Sequence, residues 1–200
     1  MPSYPDVRLH NYPDAATGKR RFKITWRQSA KDIQGFKGRT RGIACCDFDE
    51  DGDLDIYVSN YRQRANLLWR NSGKGDFTEE AAALGIAGDP TYKHGYGHTI
   101  GSAWGDFDND GHMDLFVGNF NHHDQGRISE EVKFYRNTGP ENSWKFEDKS
   151  QQAKIAWQES YATPALGDYD NDGDLDLFLT TVYAVGSWNI RNYPVLYRND

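Results

Sequence analysis

Apolar and polar residues alternate after each of three aspartate-rich stretches. The apolar set is Leu54, Ile56 and Val58 in the first, Leu115 and Val117 in the second, and Leu175, Leu177 and Leu179 in the third. A period of two marks a β-strand with one face toward a core. It assigns Asp55, Tyr57 and Ser59 to the opposite face of the first such strand. Asn71-Ser72-Gly73 and Asn137-Thr138-Gly139 are turn signals, because Asn and Gly tolerate positive φ. The predicted order is strand, aspartate loop, strand, turn, strand, Gly/Asn turn, strand.

That order occurs more than once. GIACCDFDEDGDLDIYVSN from Gly42, GSAWGDFDNDGHMDLFVGN from Gly101 and ATPALGDYDNDGDLDLFLTT from Ala162 are copies of one unit, about sixty residues apart. A second shared element follows each copy, as NLLWRNSGKGDF, VKFYRNTGPENSWKF and VLYRND. The N-terminal VRLHNYPDAATGKRRFKITW resembles the second half of a unit, with Leu9-His10-Asn11 at the Tyr-Arg-Asn position and Phe22 and Ile24 opening an outer strand. Four short strands per unit fit the blade of a β-propeller better than a solenoid, whose repeats are shorter. The expectation is an all-β propeller segment: a half-blade over 1–36, whole blades over 37–92 and 93–157, and a half-blade over 158–200. Propellers close with about four to eight blades. Either the chain is therefore a piece of a longer protein, or its half-blades pair with other chains through open strand edges.

Composition narrows the classes. Aromatic residues make up 14% of the chain, with 20 Gly and 7 Pro, which suits short packed strands and excludes a disordered chain. The net charge of −7 argues against nucleic acid as a partner. No run of apolar residues is long enough for a membrane span, and the first twenty residues show no apolar signal-peptide core. The two cysteines, Cys45 and Cys46, are adjacent, which disfavours a disulfide between them. They read as two small buried strand residues.

The acidic residues crowd into the three loops. In the first, Asp47, Asp49, Asp51 and Asp55 occupy positions one, three, five and nine, and Gly52 at position six permits a sharp reversal. Asp106, Asp108, Asp110 and Asp114 repeat the pattern, as do Asp168, Asp170, Asp172 and Asp176. Position seven, held by Asp53, His112 and Asp174, is expected to offer its backbone carbonyl, whatever its side chain. Calcium takes six to eight oxygen ligands at a flexible distance, and this spacing supplies them. Magnesium demands a tighter octahedron, and zinc or copper would want softer ligands. Four carboxylates held together without a cation would repel one another. One Ca²⁺ per loop, three in all, is therefore expected. An EF-hand starts similarly but ends on a bidentate Glu at position twelve, where this chain has Val58, Val117 and Leu179.

With these residues in view, DFDNDGHMDLFVGN followed by FYRNTG and an outer strand resembles the FG-GAP/VCBS-type repeat of integrin α-subunit propellers and many secreted or surface-attached bacterial proteins. The resemblance covers nearly the whole chain. It implies a propeller of seven blades, calcium between the first and second strands of each blade, and an extracellular, periplasmic or cell-surface setting. The chain departs from its own pattern at Cys45-Cys46, where the other copies have Trp104-Gly105 and Leu166-Gly167.

Other constellations are weaker. His94, His98, His122 and His123, with Asp124, have metal-ligating side chains, but nothing fixes their geometry and solvated histidines are the commoner outcome. The long connections over 119–132 and 180–194 are where binding residues gather on a rigid scaffold, with Tyr183, Trp188 and Tyr193 as candidates. No nucleophile elbow, phosphate loop or metalloprotease motif is present. The function expected is a calcium-binding extracellular scaffold for adhesion or for a protein or carbohydrate ligand. The alternative is the scaffold portion of a secreted propeller enzyme, such as a polysaccharide lyase or dehydratase.

Overall fold

The computed structural model describes residues 7–17, 19–27, 39–91, 95–120, 130–155, 161–181 and 193–199. His94, His122, His123, Asp124, Tyr183 and Trp188 lie outside the described residues. The chain divides into two compact units, Met1–Lys37 and Gly38–Asp200. In the first, β1 (Val7–Pro13) and β2 (Arg20–Arg27) form an antiparallel hairpin with Asn11 opposite Phe22. Asp14 nucleates its turn, its Oδ1 accepting the Ala16 and Thr17 N–H groups at 2.9 and 3.0 Å.

Among the described residues, the second unit holds three antiparallel meanders. The first is β3 (Thr40–Cys46), β4 (Asp55–Asn60), β5 (Leu67–Asn71) and β6 (Phe77–Glu79), in that spatial order. The second is β7 (Thr99–Gly105), β8 (Asp114–Asn119), β9 (Lys133–Asn137) and β10 (Phe146–Asp148). The third has three strands, β11 (Tyr161–Gly167), β12 (Asp176–Thr181) and β13 (Val195–Tyr197). One helical turn, α1 (Ala81–Leu84), is the α-helix among the described residues, and none there is long and apolar enough to cross a membrane. The fold is all-β, with blade-like sheets as the alternation and the repeats imply. Equivalent registers underline the repetition: Phe77 faces Asn71, and Phe146 faces Asn137.

The first strands of successive sheets, β3, β7 and β11, pack side by side. Space there is so short that a Cβ on Gly42 would lie 2.7 Å from the Ile100 carbonyl oxygen, and on the adjoining β8 one on Gly118 would lie 2.5 Å from the Ala162 carbonyl oxygen of β11. Further out, Tyr57, Leu68 and Phe48 of the first sheet share a core with Leu115, Val117, Tyr135 and Phe146 of the second. Phe48, Trp104 and Phe146 cluster with ring centroids 6.0–6.4 Å apart. Phe116 of the second sheet packs in turn with Leu177 and Leu179 of the third.

This stacking corrects the one-faced reading of the strands. Tyr57 and Ser59 are as buried as Val58, and every residue of β8 is buried, because the sheets present both faces to cores. In β12 alternation survives: Leu177 and Leu179 are buried and Phe178 is 42% exposed. Leu54, expected to face the core, is 62% exposed, since it precedes β4 in the loop. The cysteines also divide by strand alternation, Cys46 buried and Cys45 exposed, both as free thiols. Burial, and then the charge of Asp55, raise both thiol pKa values, that of Cys46 to about 12.

Candidate metal centres

Each aspartate loop joins the first two strands of its sheet and folds by the same bonds. Position one caps the reversal: its Oδ1 accepts the position-five N–H at 3.1 Å and its Oδ2 the position-six N–H at 3.0 Å, in all three loops. Position five accepts the position-seven N–H at 2.9–3.1 Å. Position six is Gly52, Gly111 or Gly173 with φ of +91 to +101°, a conformation other residues rarely adopt. Position four is also left-handed, at Glu50, Asn109 and Asn171.

Position nine is the anchor. Asp55, Asp114 and Asp176 are almost wholly buried. Oδ2 of each accepts the position-two N–H at 3.0–3.4 Å. Oδ1 accepts the backbone N–H of Asn71, Asn137 or Asn199 at 2.7–3.0 Å. Burial is the main influence on the first two and raises their pKa to about 7 despite these hydrogen bonds, with neighbouring aspartates pushing the same way.

Position three has no such backbone partner. Oδ1 of Asp49 and Oδ1 of Asp170 are buried without a hydrogen bond, and Asp49 Oδ2 has no backbone donor. Arginine meets their charge instead: Arg70 pairs with Asp49, Arg136 with Asp108 and Asp110, and Arg198 with Asp170 and Asp172. Positions one, three and nine converge, so Asp47, Asp49 and Asp55 bring carboxylate oxygens within 4.8 Å of one another. Asp106, Asp108 and Asp114 do the same, as do Asp168, Asp170 and Asp176. The side chains of Asp51, Asp110 and Asp172, and those at position seven, stand outside these triplets.

The side chain at position seven reaches the preceding loop. His112 Nδ1 lies 2.7 Å from Glu50 Oε1, and that hydrogen bond is the main reason the imidazole pKa is raised. Asn109 Nδ2 bonds Asp174 Oδ1 at 2.5 Å. Asparagines bridge loops as well. Asn137 Nδ2 donates to the Phe48 carbonyl at 2.9 Å, and Asn199 Nδ2 to the Phe107 carbonyl at 2.9 Å. Sequence reading missed the arginines and asparagines as parts of the loops, although Arg-Asn recurs in all three shared elements. His98, a candidate ligand by sequence, is buried in an edge contact with Tyr61, 4.8 Å between ring centroids.

The donor set is wholly hard oxygen, and the buried, unbonded Oδ1 atoms of Asp49 and Asp170 suit a cation. The model of the FG-GAP-like repeat matches residues 47–117 and again 106–179, each match starting on the first aspartate of a loop. The chain belongs to the FG-GAP-like repeat family. Its curated relatives include cartilage acidic protein 1 of Xenopus tropicalis, 28% identical over 71% of this chain and 20% of that protein. The proteins of the same name from Mus musculus and Homo sapiens are 27% identical over 79% of this chain and 22% of theirs. The chain thus spans about a fifth of the length of these FG-GAP-like relatives.

Proposed function

We propose that the chain is a calcium-binding segment of an extracellular or cell-surface β-propeller that serves as a scaffold for a protein or carbohydrate ligand. Each loop holds one Ca²⁺. The ligands are the carboxylates at positions one, three, five and nine (Asp47, Asp49, Asp51 and Asp55, with their counterparts) and the backbone carbonyls of Asp53, His112 and Asp174. One observation carries the reading. The aspartates at positions one, five and nine are accounted for by backbone N–H groups they cap, and position three is not. A turn-former has no use for carboxylate oxygens such as Asp49 Oδ1 and Asp170 Oδ1, buried without a hydrogen bond, whereas a cation site does.

The propeller setting, with half-blades over 1–36 and 158–200, is supported by the meandering sheets and the equivalent register of the N-terminal hairpin. An extracellular setting is supported by the cartilage proteins among the relatives. Tyr193, 61% exposed at the end of the long connection into β13, is a candidate ligand contact.

The test is calcium titration of chelator-stripped protein by calorimetry, followed by thermal unfolding with and without the ion. Three binding events and a raised melting temperature are expected. No binding heat and an unchanged melting temperature would reduce the aspartates to turn-formers.

A further inference from the structure

Each repeat places an arginine immediately before the asparagine that closes its loop, and each of these guanidiniums goes to position three. Arg70 pairs with Asp49, Arg136 Nε with Asp108, and Arg198 Nε lies 3.1 Å from Asp170. In the second and third loops the same head group spans to position five, 2.5 Å from Asp110 and 3.5 Å from Asp172. Arg70 instead divides its charge between Asp49 and Glu80, the latter at 3.7 Å.

Two features make this more than surface ion pairing. The contact recurs at the same repeat position three times, and in each repeat it includes the ligand carboxylate to which no backbone N–H donates. The guanidiniums are nevertheless not locked in. The side chains of Arg70, Arg136 and Arg198 are 40%, 34% and 52% exposed, so each guanidinium borders solvent.

We propose that this arginine is a built-in counter-cation: it neutralises the position-three carboxylate when no metal is present and yields it when Ca²⁺ enters. The inference rests on the calcium reading above. A guanidinium and a calcium ion that face one carboxylate repel each other, so the arginine lowers calcium affinity while it keeps the cation-free loop folded. Because Arg stays charged at any accessible pH, the effect is set by position alone. The three sites are then unequal. The second loop, with two carboxylates engaged by Arg136, binds calcium more weakly than the first, where Arg70 engages one.

Arg136→Gln in the full 200-residue chain, with Arg136→Lys beside it, separates this from a structural role. Arg136→Gln should bind calcium about fivefold more tightly at the second site, the upper end for a partly exposed ion pair. It should also melt lower in chelator, with Arg136→Lys between it and the wild type. In the unsubstituted protein, the arginine side-chain ¹⁵N resonances should shift on calcium addition, with the midpoint of calcium binding. If Arg136→Gln binds calcium no more tightly while the wild type binds normally, the inference falls and the calcium reading stands. Wild-type arginine resonances that stay fixed as calcium fills the sites overturn the inference too, even if the variant does not fold. Failure of the wild type to bind calcium overturns both.

Discussion

Asp49 and Asp55 share one loop and are both buried, yet their replacement should have different consequences. Asp55 holds the N–H groups of Phe48 and Asn71, so Asp55→Ala leaves two buried donors without an acceptor, a cost of about 2–4 kcal/mol with or without calcium. Asp49 holds no backbone group, and burial raises its pKa, against the pull of Arg70. Asp49→Asn should therefore stay within about 0.5 kcal/mol of the wild type in chelator and lose the calcium response of the first site. Thermal unfolding in chelator and in excess calcium checks both, and equal destabilisation in chelator would make position three a turn-former. A second carboxyl outside the loops supplies a pH signature. Burial works against the charge of Asp148, but Lys133 at 2.8 Å and hydrogen bonds from Ser150 outweigh it, and the carboxyl titrates below its ordinary value. Its folded state thus holds the proton less tightly than the unfolded chain. The stabilisation is complete above the unfolded pKa of about 4 and is lost as pH falls through the folded value. Lys133 also faces Glu130 at 3.6 Å and keeps that partner in an Asp148→Asn variant. The melting-temperature gap between wild type and Asp148→Asn should close as pH falls from 6 to about 2, and a constant gap would deny the pair any role. Spacing alone pointed to the aspartates. It could not distinguish a carboxylate that caps backbone from one that does not, because that depends on where each N–H points.

Among the elements, β8 of one sheet lies hard against β11 of the next. A methyl at Gly118 would sit 2.5 Å from the Ala162 carbonyl oxygen and 3.2 Å from its carbon, both backbone atoms that cannot rotate aside. Gly118→Ala should cost about 1–3 kcal/mol and be read as a lower denaturant midpoint. Midpoints that coincide with the wild type would mean the sheets are not pressed together there. Gly52, Gly111 and Gly173 were legible from sequence, since a loop with ligands at alternate positions needs its reversal at position six. Gly118 was not, because its constraint comes from a strand more than forty residues away. The same limit explains Tyr57. Alternation places it opposite Ile56 and Val58, and only the neighbouring sheet, with Trp104 edge-on at 6.1 Å, shows that this face is buried too. Strand order and blade class were legible because the unit repeats, and three imperfect copies mark their shared turns better than any one copy does.

For the whole molecule, the calcium sites should act as a stability reserve. With calcium tenfold above Kd, each independent site contributes about 1.4 kcal/mol, or ~4 kcal/mol for three. A domain of this size shifts by about 2–4 °C per kcal/mol, so chelation should lower the melting temperature by roughly 10 °C. Scanning calorimetry measures this directly, and a shift below about 2 °C would show that calcium does not stabilise the fold. The links between repeats were invisible in the sequence, since each joins residues from two copies. They also share a sense. Asn137 reaches back to Phe48, and Asn199 reaches back to Phe107. A row of repeats whose asparagines all hook rearward has a head and a tail, and the same asparagine-to-carbonyl bond recurs at both described junctions. A duplicated unit can then be spliced in at any seam in the forward orientation and find both fastenings ready. A family built this way can change its repeat number by copying, without inventing a new contact.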